Sequence, residues 1–242
     1  MTDHGHPRHR GPHPEDRELF AAERVPVLRE AVSNLSWLLG RGYSQTSALK
    51  VVGDRYSLKD RQRLAVLRAA CSDASRALRA ARRHALASLG GKALRVDGFN
   101  VLIAVEAALS GGVLFLGRDG ALRDLSSIHG SYRHVEETQA ALERIGERLA
   151  KAGPASVRWY LDRPVSNSGR LKASIEALAA AQGWPWTVEV VFNPDEELQR
   201  CGELVATTDA IILEGSVGWV PLSEEVVASV PGAWVVDLRA GG

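Results

Sequence analysis

Apolar positions recur with two different periods along this chain, and the change falls at Gly90-Gly91. Up to that point the spacing is helical. Leu28, Val32, Leu35 and Leu39 repeat every three to four residues, so a helix is expected over residues 15–39, closed by Gly40 and Gly42. Ser44 is placed to cap a second helix running to residue 52, stopped by Gly53. Ser57, with Asp60 three residues on, resembles a capping box opening a third helix over 58–71. Asp73 caps a fourth over 74–89. The short link between the second and third leaves room for a helix-turn-helix-like pair.

After Gly91 short apolar runs near 93–96, 157–161, 187–192, 203–206 and 233–236 read as strands. Helical spacing takes over near 100–109, 135–151, 169–182, 194–200 and 222–229. Such alternation predicts a three-layer α/β domain with a mostly parallel sheet, preceded by an all-α helical domain. The expected organisation is a disordered tail over 1–14, a basic helical domain over 15–90 and an α/β domain over 91–242. Residues 110–133 are Gly-rich and too long for an ordinary connection, so they are expected to be functional or disordered, and within them 118–124 and 129–133 could form a lid over the crevice. No internal repeat is visible.

Composition adds a core and a charge asymmetry. A hydrophobic content of 45% supports a packed interior. Cys71 and Cys201 form no C-x-x-C or His/Cys ligand spacing; with the lack of an apolar leader, they predict a reduced, cytoplasmic setting without disulfides. No apolar stretch approaches the roughly 18 residues of a membrane span, so no membrane partner is expected. Residues 41–90 carry eleven Lys or Arg against three Asp or Glu, a net +8 that leaves −7 for the rest of a chain whose total is +1. A basic module joined to an acidic one suits a protein that grips a polyanion with one part and holds a cation with the other. Arg61, Arg63, Arg68, Arg79, Arg82 and Arg83 form either a solvated face or contacts to phosphate. Trp37, Tyr43 and Tyr56 read as core or partly buried. The tail histidines His4, His6, His9 and His13 read as a solvated leader, with metal binding as the rival.

The chemistry lies where apolar strands stop at aspartates. The run 93–96 ends at Asp97-Gly98-Phe99-Asn100, Trp159-Tyr160-Leu161 runs into Asp162, and Leu204-Val205-Ala206 runs into Thr207-Thr208-Asp209. In an open parallel sheet these ends share one crevice. Three carboxylates there repel one another unless a cation sits between them, and oxygen donors make Mg²⁺ the expected ion. Asp97 could instead cap the next helix, but Gly98 permits close approach and Asn100 adds an amide. Thr207 and Thr208 could cap a helix or serve a phosphate or water. Of the first-turn acids Asp195, Glu196 and Glu197, Asp195 lies nearest the strand end, with Glu197 auxiliary.

Val96-Asp97-Gly98-Phe99-Asn100 resembles the opening motif of PIN-like nucleases, particularly the NYN branch. Pro194-Asp195-Glu196-Glu197-Leu198 and Leu204-Val205-Ala206-Thr207-Thr208-Asp209 resemble that group's later stretch. Thr208 stands where the motif carries Ser, and Ala210 where many relatives are polar. The layout also resembles an uncharacterised prokaryotic family joining a helical N-terminal domain to a PIN-like one. The resemblance implies a PIN-like fold, Asp97, Asp195 and Asp209 as ligands of Mg²⁺ or Mn²⁺, and Asp162 as a further catalytic carboxylate. Asn100 would orient a carboxylate or touch the scissile phosphate. The implied activity is metal-dependent hydrolysis of phosphodiester bonds, in RNA rather than DNA, with the oligomeric state left open.

Two segments are candidates for reading the substrate. Arg163, Ser166, Asn167, Ser168 and Arg170, with Lys172 nearby, enter a helix where free N–H groups and hydroxyls could cradle a phosphate, or they form a polar loop with an ordinary cap. His129 or His134 in the long insertion could act as a general acid or be merely solvated. Two rival functions stand beside the nuclease: a non-catalytic RNA-binding or adaptor protein, and a phosphatase or nucleotide hydrolase acting at residues 166–170. No G-x-x-x-x-G-K-[ST] signature is present, which opposes a P-loop NTPase.

Overall fold

The computed structural model describes residues 10–126, 132 and 134–239. Its helical part comprises α1 (Asp16–Leu19), α2 (Val25–Gly40), α3 (Gln45–Arg55), α4 (Asp60–Ala69) and α5 (Asp73–Ala81). The expected single helix over 15–39 is broken before α2, because Pro26 lacks an N–H and is tolerated only in a first turn. Ser44 caps α3 as expected. Ser57 does not cap α4: its φ is +49°, and the Lys59 N–H instead donates to Gln62 Oε1 at 3.1 Å. Ser72, one residue before Asp73, caps α5 through the Ser75 N–H at 3.0 Å. That helix stops at Ala81 rather than residue 89 because the next backbone groups pair elsewhere. Trp219 N–H donates to Arg82 O at 2.9 Å and His84 N–H to Trp219 O at 2.8 Å.

Beyond Gly91 the order is β1 (Ala93–Asp97), α6 (Gly98–Leu109), β2 (Val113–Leu116), β3 (Leu122–Arg123), α7 (Glu137–Ala152), β4 (Ser156–Asp162) and α8 (Ser168–Gln182). β5 (Trp186–Val191), α9 (Pro194–Arg200), β6 (Leu204–Ala206), α10 (Ala210–Gly215), α11 (Leu222–Val227) and β7 (Trp234–Asp237) complete it. Four strands form a parallel sheet in the order β5-β4-β1-β6, with Val96 opposite Trp159 and Ala206. Alternate residues feed opposite faces. Leu94, Val96, Trp159 and Leu161 join α6, α7, α8 and α11, whereas Tyr160 and Val205 pack with α9, α10 and Trp219. The parallel sheet thus carries helices on both faces.

Two expectations are corrected here. Residues 118–124 form no open lid: they are buried or half-buried and include β3, which pairs antiparallel with β2, itself parallel to β7, while 127–131 and 133 lie outside the described residues. The strand expected near 233–236 therefore belongs to this second sheet, not the main one. Phe115, Leu125, Val236 and Leu238 share one core with Leu28, Val32, Leu35, Ala65 and Val66 of α2 and α4. The helical part is fastened to the α/β part through this second sheet. Of the expected tail, residues 1–9 lie outside the described residues. Arg10 donates to Glu106, which is fully buried in α6 and also accepts from Thr138 Oγ1 at 2.6 Å.

Candidate active site

From β1 the chain moves outward to β4 and β5, then returns to β6 on the other side of β1. The crevice beyond the carboxyl ends of β1 and β6 is therefore the topological switch point, where open parallel sheets bind ligands. Asp97 ends β1 and Thr207-Thr208-Asp209 come directly after β6, so the first and last expected motifs meet there. Gly98 makes the approach possible. A Cβ on it would lie 2.5 Å from Leu161 Cδ2 and 2.8 Å from the Tyr160 carbonyl.

A hydrogen-bond chain fixes this edge. Thr207 Oγ1 donates to Asp97 Oδ2 at 2.8 Å and accepts from the Asp209 N–H at 3.0 Å. Asn100 Oδ1 accepts from Thr208 N–H at 2.7 Å and Thr208 Oγ1 at 2.9 Å. The amide orientation is thereby set, and Asn100 Nδ2 has no hydrogen-bond partner among the described residues. Asp209 caps α10, its Oδ1 accepting from Ile211 N–H at 2.8 Å and Ile212 N–H at 3.2 Å. Asp97 occupies the corresponding position before α6, where the Asn100 N–H eases its charge without a full cap bond.

The carboxylates feel one another. Burial raises Asp97 to about 7 against the Thr207 hydrogen bond, and the charges of Asp209 and Asp195 push the same way. Burial and then Asp209 raise Asp195; burial and then Asp195 raise Asp162. Among the described residues no three His, Cys, Asp or Glu side chains are gathered closely enough to form a metal cage as they stand. The donors nevertheless suit a hard cation, because Mg²⁺ keeps several waters and is commonly held through one or two carboxylates plus substrate phosphate.

A cleft of about 630 Å³ opens on this edge, lined on the sheet side by Asp97, Asn100, Asp195, Thr208 and Asp209. Its opposite wall comes from the helical part and includes Leu39, Leu64, Leu67 and Arg68. Arg79 and Arg123, both lining the cleft, share buried Asp119 at 2.5 Å and 2.6 Å, and Arg123 Nε donates to the Thr208 carbonyl at 3.1 Å. Although burial opposes it, Arg123 and Arg79 hold Asp119 down to about 2. Arg79 also donates to Glu214. Asp119 and Arg123 were not separable from the expected lid in sequence; only their i, i+4 spacing hints at a pair.

Several expected substrate contacts are otherwise engaged. Ser168 Oγ donates to Val165 O at 2.7 Å, which uses its one donor, and Asn167 Nδ2 gives one of its two N–H groups to Tyr132 O at 2.8 Å. Arg163 stacks over exposed Phe192, 4.7 Å from its ring centre, and Lys172 donates to Val188 O at 2.7 Å. Ser166 and Arg170 are exposed, and none of these residues lines the carboxylate cleft. His134 is exposed and also outside the cleft lining, while His129 lies outside the described residues.

Lys50 meets Asp54 at i, i+4, but several arginines of the basic helices find partners farther along the chain. Arg61 makes two bonds to Asp16, at 2.6 and 2.8 Å, and Arg63 bonds Asp54 at 2.8 Å and Leu58 O at 3.0 Å. Arg68 donates to Ser126 O at 2.9 Å, Arg82 to Glu214 O, and Arg83 to Glu224 at 3.3 Å. Tertiary folding thus commits guanidinium groups that the local sequence left unpaired. Trp37 and Tyr43, expected in the core or partly buried, are each 57% exposed, with Arg41 4.0 Å above the Trp37 ring.

Fold and site define an α/β protein with a parallel main sheet, whose switch-point cleft is lined by carboxylates and walled by an N-terminal helical layer. The family described as Domain of unknown function (DUF5616) matches residues 86–225, and the chain belongs to that family. A second family, Protein of unknown function (DUF434), matches residues 27–82. The chain is 33% identical over 187 residues to uncharacterized protein MJ0935 of Methanocaldococcus jannaschii, covering 77% of this chain and 89% of that protein. No solved structure matches.

Proposed function

We propose that the protein is a metal-dependent hydrolase of phosphodiester bonds with a PIN-like α/β domain, acting on RNA. The observation that carries this reading is Asp97. It is buried at the switch point, bonded to Thr207, and raised to about 7 in an environment that Asp209 and Asp195 make still more hostile to its charge. Such a carboxylate is costly to keep unless something positive is bound beside it.

In this reading Asp97, Asp195 and Asp209 hold Mg²⁺ or Mn²⁺. The ion supplies charge neutralisation at the phosphate and eases deprotonation of an attacking water. Asn100, its carbonyl oxygen occupied by Thr208, turns Nδ2–H toward a non-bridging phosphate oxygen. Thr207 orients Asp97. The attacking water gives its proton to solvent as its oxygen bonds to phosphorus, and the departing ester oxygen takes one from solvent. Asp162, outside the cleft lining and raised by burial and by Asp195, acts on the site only through Asp195. Replacing Asp97 with Asn should remove Mn²⁺-dependent cleavage of a labelled single-stranded RNA by at least about 10³-fold while leaving the far-UV circular dichroism unchanged. Full cleavage by that variant removes the assignment.

A further inference from the structure

The cleft has an unequal pair of walls. The sheet side is polar and acidic. The facing side is built from α2 and α4, and α4 exposes Leu64, Leu67 and Arg68 to it at i, i+3 and i+4, while Gln62, Ala65, Val66 and Ala69 turn to the core. Leu39 at the end of α2 extends the same apolar surface, and Phe99 and Ile103 of α6 line the cleft between the two walls. These leucines are partly open rather than sealed in the core. The arginines expected to make this module a phosphate-gripping surface are bonded to Asp16, Asp54 and backbone carbonyls.

We infer that the helical layer supplies the base-binding half of the site, so that the cleft takes one nucleotide at a time, with its base on Leu64, Leu67 and Leu39 and its phosphate at the carboxylate edge. This deepens the proposed function and rests on it for the phosphate end. A ligand that must satisfy both walls has an apolar planar part and an anionic part, which is the chemistry of a nucleotide. The volume, about 630 Å³, lies within the range of roughly 300–1,000 Å³ typical of small-ligand pockets. A duplex, whose major groove alone is about 12 Å wide, cannot enter such a space. A strand terminus or a free nucleotide fits such a space with one base on the leucines and one phosphate at the carboxylates. Terminal and free nucleotides present the same chemistry and differ only in whether further chain is attached.

Binding separates the possibilities without relying on turnover. The full chain in Mn²⁺ is titrated calorimetrically with a non-hydrolysable 5′-phosphonate analogue of AMP and with methylphosphonate, which lacks sugar and base. The nucleotide analogue should bind at least about 10-fold more tightly, and Leu64→Ala and Leu67→Ala should each remove about 3- to 10-fold of that preference while leaving methylphosphonate within about 2-fold. Equal affinity for both probes overturns the inference, and this arm needs no variant. In a second arm the same short RNA is presented as a linear strand, a covalent circle and a duplex. Linear binding at least about 10-fold tighter than circle and duplex identifies a strand terminus, and binding of the nucleotide analogue without any strand identifies a free nucleotide. A circle or duplex bound as tightly as the linear strand overturns the inference. The two readings fail separately: a nucleotide preference with no strand ever cut defeats the nuclease assignment alone, and cutting without base discrimination defeats the wall alone.

Discussion

If Asp97 is held in the folded protein against its own charge, neutralising it should stabilise the chain. Its carboxyl stands at about 7 when folded and at an ordinary value near 3.8 when unfolded. The folded state therefore binds the proton more tightly, and stability falls as pH rises from about 4 through about 7. A difference of about 3 units, at 1.36 kcal/mol each, corresponds to about 4 kcal/mol lost above pH 7. Asp97→Asn keeps the shape and an oxygen to accept from Thr207 but cannot ionise. At pH 8 in EDTA the variant should be more stable by up to about 4 kcal/mol, and at pH 4 the two proteins should be nearly equal. For a chain of this size each kcal/mol moves Tm by about 2–4 °C, so a rise on the order of 10 °C is expected by calorimetry. Mn²⁺ should then raise the Tm of the native protein at pH 8 more than that of the variant. A variant that melts at or below the native protein at pH 8 refutes the picture of a desolvated, repelled carboxylate, and the case for a cation with it.

Further expectations concern the structure around the site. Asp119→Ala strands Arg123, 7% exposed, and leaves Arg79, 5% exposed, with Glu214 alone; it should cost about 3–5 kcal/mol in urea unfolding, and a loss below about 1 kcal/mol would show that the pair is solvated instead. Because Asp119 is held down to about 2, the stability it contributes is present above pH 4 and lost as pH falls toward 2. That loss is about 2 kcal/mol and should be absent from the pH profile of Asp119→Asn. Gly98→Ala drives a methyl into the Tyr160 carbonyl and Leu161 and should destabilise by about 1–3 kcal/mol, with the largest loss of amide protection where α6 begins; unchanged stability would mean that β4 can yield.

How legible each element is in the sequence depends on how far apart the interacting residues lie. Strand ends at 97, 162 and 206 were legible to within a residue or two because each apolar run stops at a polar turn, and the helix after Asp97 is expected from its capping position. Likewise Ser44, a local signal, capped the helix it preceded. The hairpin of β2 and β3 went unrecognised since its two-residue partner strand has no alternation to detect, and its burial depends on α2, α4 and β7. The chain itself determined that aspartates end β1 and β4 and follow β6 closely, because that pattern is written in nearby residues. Only the tertiary structure decided which strands neighbour one another, which arginines are spent on Asp16, Asp54 and Asp119, and that α4 faces Asp97 across a cleft. Strand order, the Arg61–Asp16 and Arg79–Asp119 pairs and the cleft wall join residues dozens of positions apart, whose geometry no local period encodes.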